Sequence, residues 1–198
     1  AKGIALVNLL PVDLEEEVTV LLAMSSFPSD KFLLMVTKGG VIKKTALSEF
    51  ASIRRNGLIA MGLRNEDGLI SAGVVADEDE VILLSGNGKA IRFKVKNLRN
   101  ASRTSGGVRG ICLVSDYVVG MGIVFPDACV LTVTQNGFGK LTPIKNYPVH
   151  NRGGKGVRAY GVSPKTGNVA VSKLVSGQES LVMLSAKGNV VNIPLGQV

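Results

Sequence analysis

The sequence predicts an all-β fold of repeated four-stranded blades, and three observations predict it. A short apolar strand ending in a glycine turn opens four times, at residues 32–37 before Gly39-Gly40, 81–85 before Gly86-Asn87-Gly88, 130–134 before Asn136-Gly137 and 181–185 before Gly188. The openings at Phe32, Val81, Val130 and Leu181 lie 49, 49 and 51 residues apart, a period found in propellers and arrays. Helix has little room, because 24 glycines in 198 residues interrupt nearly every window of helical length, and Val and Ile favour strands.

In chain order, residues 1–30 carry two apolar runs, 4–10 and 18–24, and read as the second half of a cassette whose first hairpin is missing. Asp13 and Glu16 sketch a capping box there, but Val18-Thr19-Val20 favours strand. Residues 31–80, 81–129 and 130–179 read as full blades, and 180–198 as another half. Each full unit opens with a hairpin: an apolar strand, a Gly turn and a strand bearing charges. Ile91-Arg92-Phe93-Lys94-Val95-Lys96 alternates cleanly, so one face packs and the other offers its cations to water. Gly-rich connections then lead onward, from 57–63 to 69–75, from 107–113 to 118–124 and from 156–162 to 168–174. The reversals between them, such as Pro164-Lys165-Thr166-Gly167, have the composition of tight turns. Four strands per unit follow, arranged radially so that only short sheet edges remain. The chain is one array, whose terminal halves either pair as a fourth blade or leave an open arc.

Apolar residues make up 45% of the chain, enough for a sizeable core, yet no run approaches the roughly 20 residues that span a bilayer. No export signal is evident at the start. The expectation is a soluble, cytoplasmic protein with no membrane partner. Cys112 and Cys129 read as buried free thiols, and the single His150 argues against a structural zinc site, so no metal and no cofactor are expected. The net charge of +8 is uneven. Residues 1–30 set Lys2 against Asp13, Glu15, Glu16, Glu17 and Asp30, a balance of −4 that leaves +12 elsewhere. Residues 81–110 hold seven cations and no carboxylate, and residues 130–177 repeat that count. Cations recurring in successive blades are the most informative feature of the composition.

Four motifs become specific when taken in order: Val7-Asn8-Leu9-Leu10-Pro11; Lys43-Lys44-Thr45 with Glu49-Phe50; Thr104-Ser105-Gly106-Gly107-Val108-Arg109-Gly110-Ile111; and Thr134-Gln135-Asn136-Gly137-Phe138-Gly139-Lys140. Together they resemble the C-terminal domain of the bacterial DNA gyrase A subunit, over essentially the whole chain. The resemblance implies a six-bladed β-pinwheel, a propeller-like disc that exchanges strands between neighbouring blades and wraps DNA on a basic rim. This chain then corresponds to the end of the second blade, blades three to five and the start of the sixth, about four blade equivalents. The family's wrapping box, Gln-Arg-Arg-Gly-Gly-Lys-Gly, belongs to the first blade, which is absent here. His150-Asn151-Arg152-Gly153-Gly154-Lys155-Gly156 is similar to it and reads as a degenerate copy. The resemblance also implies three partners: double-stranded DNA, the rest of the gyrase A subunit, and the ATP-hydrolysing gyrase B subunit, in an A2B2 holoenzyme. The equivalent domain of topoisomerase IV, serving decatenation, is the near alternative.

Cations repeated along a convex surface can follow a duplex and release counterions at each phosphate contact. Such contacts position the duplex rather than read its sequence. The candidates are Lys43, Lys44, Arg54 and Arg55 in the first full blade, then Arg92, Lys94, Lys96, Arg99, Arg103 and Arg109 in the second, and Lys140, Lys145, Arg152, Lys155 and Arg158 in the third. The competing reading is that they solubilise edge strands. Gly106-Gly107 and Gly153-Gly154 either present N–H groups to phosphates or supply positive φ in a tight connection. An enzyme is disfavoured: there is no Walker A, one histidine only, and acidic runs at 15–17 and 77–80 that read as solvated turns. Tyr117, Tyr147 and Tyr160 lie outside the part of the family's A subunit that carries its nucleophilic tyrosine. A protein-binding propeller is the third class, but aromatics are 5% of the chain and Trp is absent.

Overall fold

Each repeat opens with a hairpin whose turn is closed by its own side chains. The computed structural model describes residues 17–52, 57–64, 66–184 and 188–197. Strands β1 (Phe32–Thr37) and β2 (Val41–Ala46) pair from Phe32 opposite Ala46 to Val36 opposite Ile42. The same hairpin recurs as β4 (Glu80–Ser85) with β5 (Lys89–Lys94), and again as β8 (Cys129–Thr134) with β9 (Gly139–Pro143). Gly40, Gly88 and Gly137 turn the chain at φ of 80°, 73° and 81°, a region where a side chain would be strained. At each turn a hydroxyl accepts the N–H four residues on: Thr37 from Val41 at 3.1 Å, Ser85 from Lys89 at 3.2 Å and Thr134 from Phe138 at 3.2 Å.

A single turn of 3₁₀-helix follows each second strand, at Leu47–Phe50, Val95–Asn97 and Ile144–Asn146. Its first N–H donates to the carbonyl just ahead of the hairpin: Leu47 to Lys31, Val95 to Asp79 and Ile144 to Ala128, each at 2.9 Å. Leu47, Val95 and Ile144 are buried, as are Phe50, Leu98 and Tyr147 three positions on. The bond and the apolar pair cork the sheet at the end opposite the hairpin turn. One turn of helix is too short to leave a periodic signal in sequence.

The inner strands are β3 (Leu69–Val75), β7 (Val118–Ile123) and β11 (Val169–Val175), as predicted. Two short strands, β6 (Val108–Arg109) and β10 (Val157–Arg158), do not stay with their own cassettes. β6 pairs with β2, Val41 opposite Arg109, and β10 pairs with β5, Ala90 opposite Val157. The sheets are therefore β3-β1-β2-β6, β10-β5-β4-β7 and β11-β8-β9, followed by a hairpin of β12 (Ser180–Leu184) and β13 (Val190–Pro194). Four strands make each of the first two sheets, but the outermost belongs in sequence to the next cassette. This is the strand exchange of a β-pinwheel, and it ties consecutive blades together through backbone hydrogen bonds.

β3 packs against β7, and β7 against β11, so these strands line the inside of the array and β6 and β10 its outer edge. Glycines permit the close inner approach. A Cβ on Gly120 would stand 2.7 Å from the Ser172 carbonyl oxygen, and one on Gly122 would stand 2.6 Å from Leu174. Between sheets, alternate residues of β4 enter different cores. Val81 and Leu83 pack with Phe32, Leu34, Val36, Ile91 and Phe93, while Ile82 and Leu84 pack with Ala90, Val130, Ile144 and Tyr147. A strand covered on both faces reads as an unbroken apolar run rather than an alternating one. Each fully buried Leu, Ile or Phe there contributes about 1.5–3 kcal/mol.

The described part of the first segment differs from its reading. Residues 17–30 form neither strand nor helix, and Leu21 is 86% exposed. A β-favouring run forms no strand until it pairs with a sheet edge, and residues 17–30 pair with none of the described strands. The first half of that segment, with Val7 to Pro11, Asp13 and Glu16, lies outside the described residues. Both cysteines are free, as expected, but half-buried rather than buried.

Candidate nucleic-acid interface

The outer edge is built where β5 and β10 end and where the crossing loops leave their 3₁₀ turns. On β5 the alternation has a different outcome from the one its sequence suggests. Ile91 and Phe93 pack inward against the first sheet, but Arg92 faces the third sheet rather than water. Its guanidinium pairs with Glu80 and donates to the carbonyls of Ile144 at 3.0 Å and Tyr147 at 3.2 Å. Arg92 is thus an inter-blade strut, because a blade is packed on both faces.

Lys43 and Lys44 are corrected in the same way, at 1% and 3% exposure. Lys44 bonds Asp77 at 2.6 Å and lies 4.6 Å from the centre of the Phe32 ring. The Lys43 ammonium donates to the carbonyls of Ala60 and Ser105, both at 2.9 Å, and to that of Arg103. Burial pushes its pKa below the ordinary lysine range, with Glu49 raising it and Arg103 lowering it further. Lys43 and Arg92 hold neighbouring blades together, Lys44 holds Asp77 and Phe32 within its own, and all three leave the solvent-facing set. Arg54 and Arg55 lie outside the described residues.

The remaining candidates reach solvent. Lys94, Lys96, Arg99, Arg109, Lys140, Lys145, Lys155 and Arg158 are exposed, and Arg103 and Arg152 are half-buried. Among the described residues the ion pairs are Lys44 with Asp77 and Arg92 with Glu80, so within that set none of these ten is neutralised by a carboxylate. Lys94, Lys96, Arg99 and Lys145 cluster where the 3₁₀ turns lie. Arg109 and Arg158 sit at the hairpin-turn end, opposite Val41 and Lys89. Arg103, Arg152 and Lys155 ride on the crossing loops between. The cations therefore span the strand height of the outer edge, about 15–20 Å for a six-residue strand, as a band rather than one line. Sequence reasoning passed over exposed Lys89, which stands opposite Arg158, and exposed Arg64; the first was visible as a cation following a glycine turn, the second as a cation following the Gly62-Leu63 pair.

Three comparisons with known proteins bear on this edge. A family model described as DNA gyrase C-terminal domain, beta-propeller, matches residues 31–76, 79–124 and 130–171. The chain belongs to that family. Among its relatives, the DNA gyrase A subunit of Dehalogenimonas lykanthroporepellens is 43% identical over 197 residues, covering 99% of this chain and 24% of that protein. The A subunit of Staphylococcus aureus DNA gyrase is 35% identical over 202 residues, covering 100% and 23%. The chain thus spans about a quarter of the length of the curated relatives it matches. A solved gyrase A C-terminal domain superposes with a TM-score of 0.86 at 26% identity, over 100% of this chain and 67% of that one. The C-terminal domain of DNA topoisomerase IV superposes at 0.91 with 22% identity, over 99% and 62%, a likeness of fold.

In this chain the box-like segment 150–156 serves as a clamp. His150 N–H donates to the Arg92 carbonyl at 2.7 Å, Gly153 N–H to Gly110 at 2.6 Å, and Cys112 N–H to the Gly154 carbonyl at 2.8 Å. Gly153 has a φ of +79°, so positive φ explains it, and its N–H is already engaged within the protein. Gly107 is needed for a different reason: a Cβ there would stand 2.6 Å from the Ile42 carbonyl oxygen.

Proposed function

We propose that this chain binds and bends duplex DNA without sequence preference along its outer edge, serving the supercoiling reaction of a DNA gyrase. The observation that carries the reading is the band of exposed cations, Lys94, Lys96, Arg99, Arg109, Lys140, Lys145, Lys155 and Arg158, free of carboxylate partners among the described residues. Arg103 and Arg152 add to it from the crossing loops. Curving 20 to 30 base pairs by 40–90° costs about 1–6 kcal/mol, so several contacts act together to offset it. Arg92, Lys43 and Lys44 support the band from behind and make no phosphate contact. The chain contributes geometry, with neither cofactor nor catalytic group, while the rest of the gyrase A subunit, together with an ATP-hydrolysing B subunit, carries the chemistry in a cytoplasmic A2B2 assembly. Gyrase relatives at 43% and 35% identity favour gyrase over topoisomerase IV.

Salt dependence tests the reading. Each phosphate contact steepens the fall of log K with log salt by about 0.9. Reversing Lys94, Lys96 and Arg99 together lowers that slope by about 2.7 on random-sequence duplex, whereas reversing Lys31 and Lys38 leaves it unchanged. Equal slopes for both variants would mean that the band does not contact DNA.

A further inference from the structure

A cleft of about 600 Å³ opens beside the first hairpin turn, lined by Gly39, Gly40, Val41, Arg64, residues 107–109, residues 111–113 and Arg152. Three guanidinium-bearing residues reach it from three separate segments: Arg64 from the connection ahead of β3, Arg109 from β6 and Arg152 from the crossing loop. Among the described residues no carboxylate lines it. Asp67, which sits behind Gly39, is already engaged by the N–H groups of Gly39 at 2.8 Å and Gly68 at 3.0 Å. The floor is apolar, with Val41, Ile111 and Leu113.

The walls are held before any ligand arrives. Gly110 N–H donates to the Gly40 carbonyl at 2.8 Å, Gly153 N–H to Gly110 and Cys112 N–H to Gly154, so hairpin turn, β6 and crossing loop are stitched into one frame. Arg152 adds a bond from its Nη1 to the Arg109 carbonyl at 3.2 Å. Packing behind the turn is close, since a Cβ on Gly40 would meet Ile111 and Leu113 at 3.0 Å. The three arginines line one cleft with no ion pair to a carboxylate among the described residues, and their mutual repulsion is relieved when an anion binds. The volume lies in the range of small-molecule sites, about 300–1,000 Å³, and a concave cleft suits a compact ligand better than a rod-like duplex, which meets ridges.

We infer that this cleft is a binding site for a small phosphate-bearing ligand of nucleotide size, with the phosphates on Arg64, Arg109 and Arg152 and the organic body on the Val41, Ile111 and Leu113 floor. The site is separate from the proposed DNA band in one decisive residue: Arg64 belongs to the cleft alone.

The test is calorimetric titration of the purified chain with ATP, with tripolyphosphate and with adenosine at physiological salt. ATP is expected to bind one-to-one and more tightly than tripolyphosphate, and adenosine not at all. Arg64→Ala and Arg152→Ala each weaken ATP by about 10-fold or more, the scale of one charge-assisted contact, while Lys94→Ala with Lys96→Ala leaves it unchanged. Arg64 is exposed, so Arg64→Ala is expected to fold and to retain duplex binding. Absence of saturable ATP binding, equal loss in the Lys94 and Lys96 variant, or a site that takes duplex but neither ATP nor tripolyphosphate would overturn the inference and leave the DNA reading standing. Saturable ATP binding with no duplex binding would do the reverse.

Discussion

Replacing Lys43 by Met removes an ammonium and keeps most of the stem, which makes it a sharp probe of how the first two blades are joined. The lysine is 1% exposed, and its ammonium donates to three backbone carbonyls, those of Ala60, Arg103 and Ser105. Two of these belong to the loop that crosses from the second cassette. Hydrogen bonds to a charged group contribute about 1.5–3 kcal/mol each, so three set a ceiling of several kcal/mol. Against them stands the desolvation of a buried ion, which also costs several kcal/mol and vanishes in the variant. Ser105 retains a partner, because its carbonyl also accepts Gly62 N–H at 3.2 Å. The balance is a loss of about 2–6 kcal/mol, from two carbonyls left without the ammonium at about 1–3 kcal/mol each. Urea unfolding at pH 7 measures it as a lower midpoint at unchanged slope.

The loss also carries a pH signature. Folding lowers the Lys43 pKa from 10.5 through burial, so between the folded and unfolded values the unfolded chain binds more protons and the wild type gains stability as pH rises. The Lys43→Met variant has no such gain, and its deficit widens toward pH 10.5. A variant as stable as the wild type at pH 7 would refute the assignment of Lys43 as a staple, and a deficit that narrows in alkali would refute the downward shift of its pKa.

Two further outcomes are expected. Gly120→Ala places a Cβ 2.7 Å from the Ser172 carbonyl oxygen, where backbone has to move; thermal unfolding should register a loss of about 1–3 kcal/mol, and an unchanged melting point would show that the inner strands have slack. Glu179 accepts the Ser176 N–H at 2.8 Å, and that backbone bond, aided by the Ser176 hydroxyl, holds its pKa down from 4.5 to about 2. The turn between β11 and β12 therefore keeps this support above pH 4.5 and loses it as pH falls through about 2; carboxyl NMR shifts should titrate with that low midpoint, and one near 4.5 would discount the bond.

The sequence alone determined the period, the hairpins and the inner strands, because these rest on local chemistry. A glycine at positive φ, a hydroxyl four residues before the chain resumes and an apolar run of six residues all act within one cassette. It also determined the family and the excess of positive charge. The tertiary structure decided which cations face water. Lys43, Lys44 and Arg92 look like their exposed neighbours in sequence, and their burial depends on a crossing loop or a second sheet brought in by residues up to 62 positions away. It likewise decided that β6 and β10 complete the sheet of the preceding cassette, and that Arg64, Arg109 and Arg152 meet at one cleft. Two-residue strands and convergent arginines leave no periodic trace, since their partners are chosen by how blades stack rather than by what lies next in the chain.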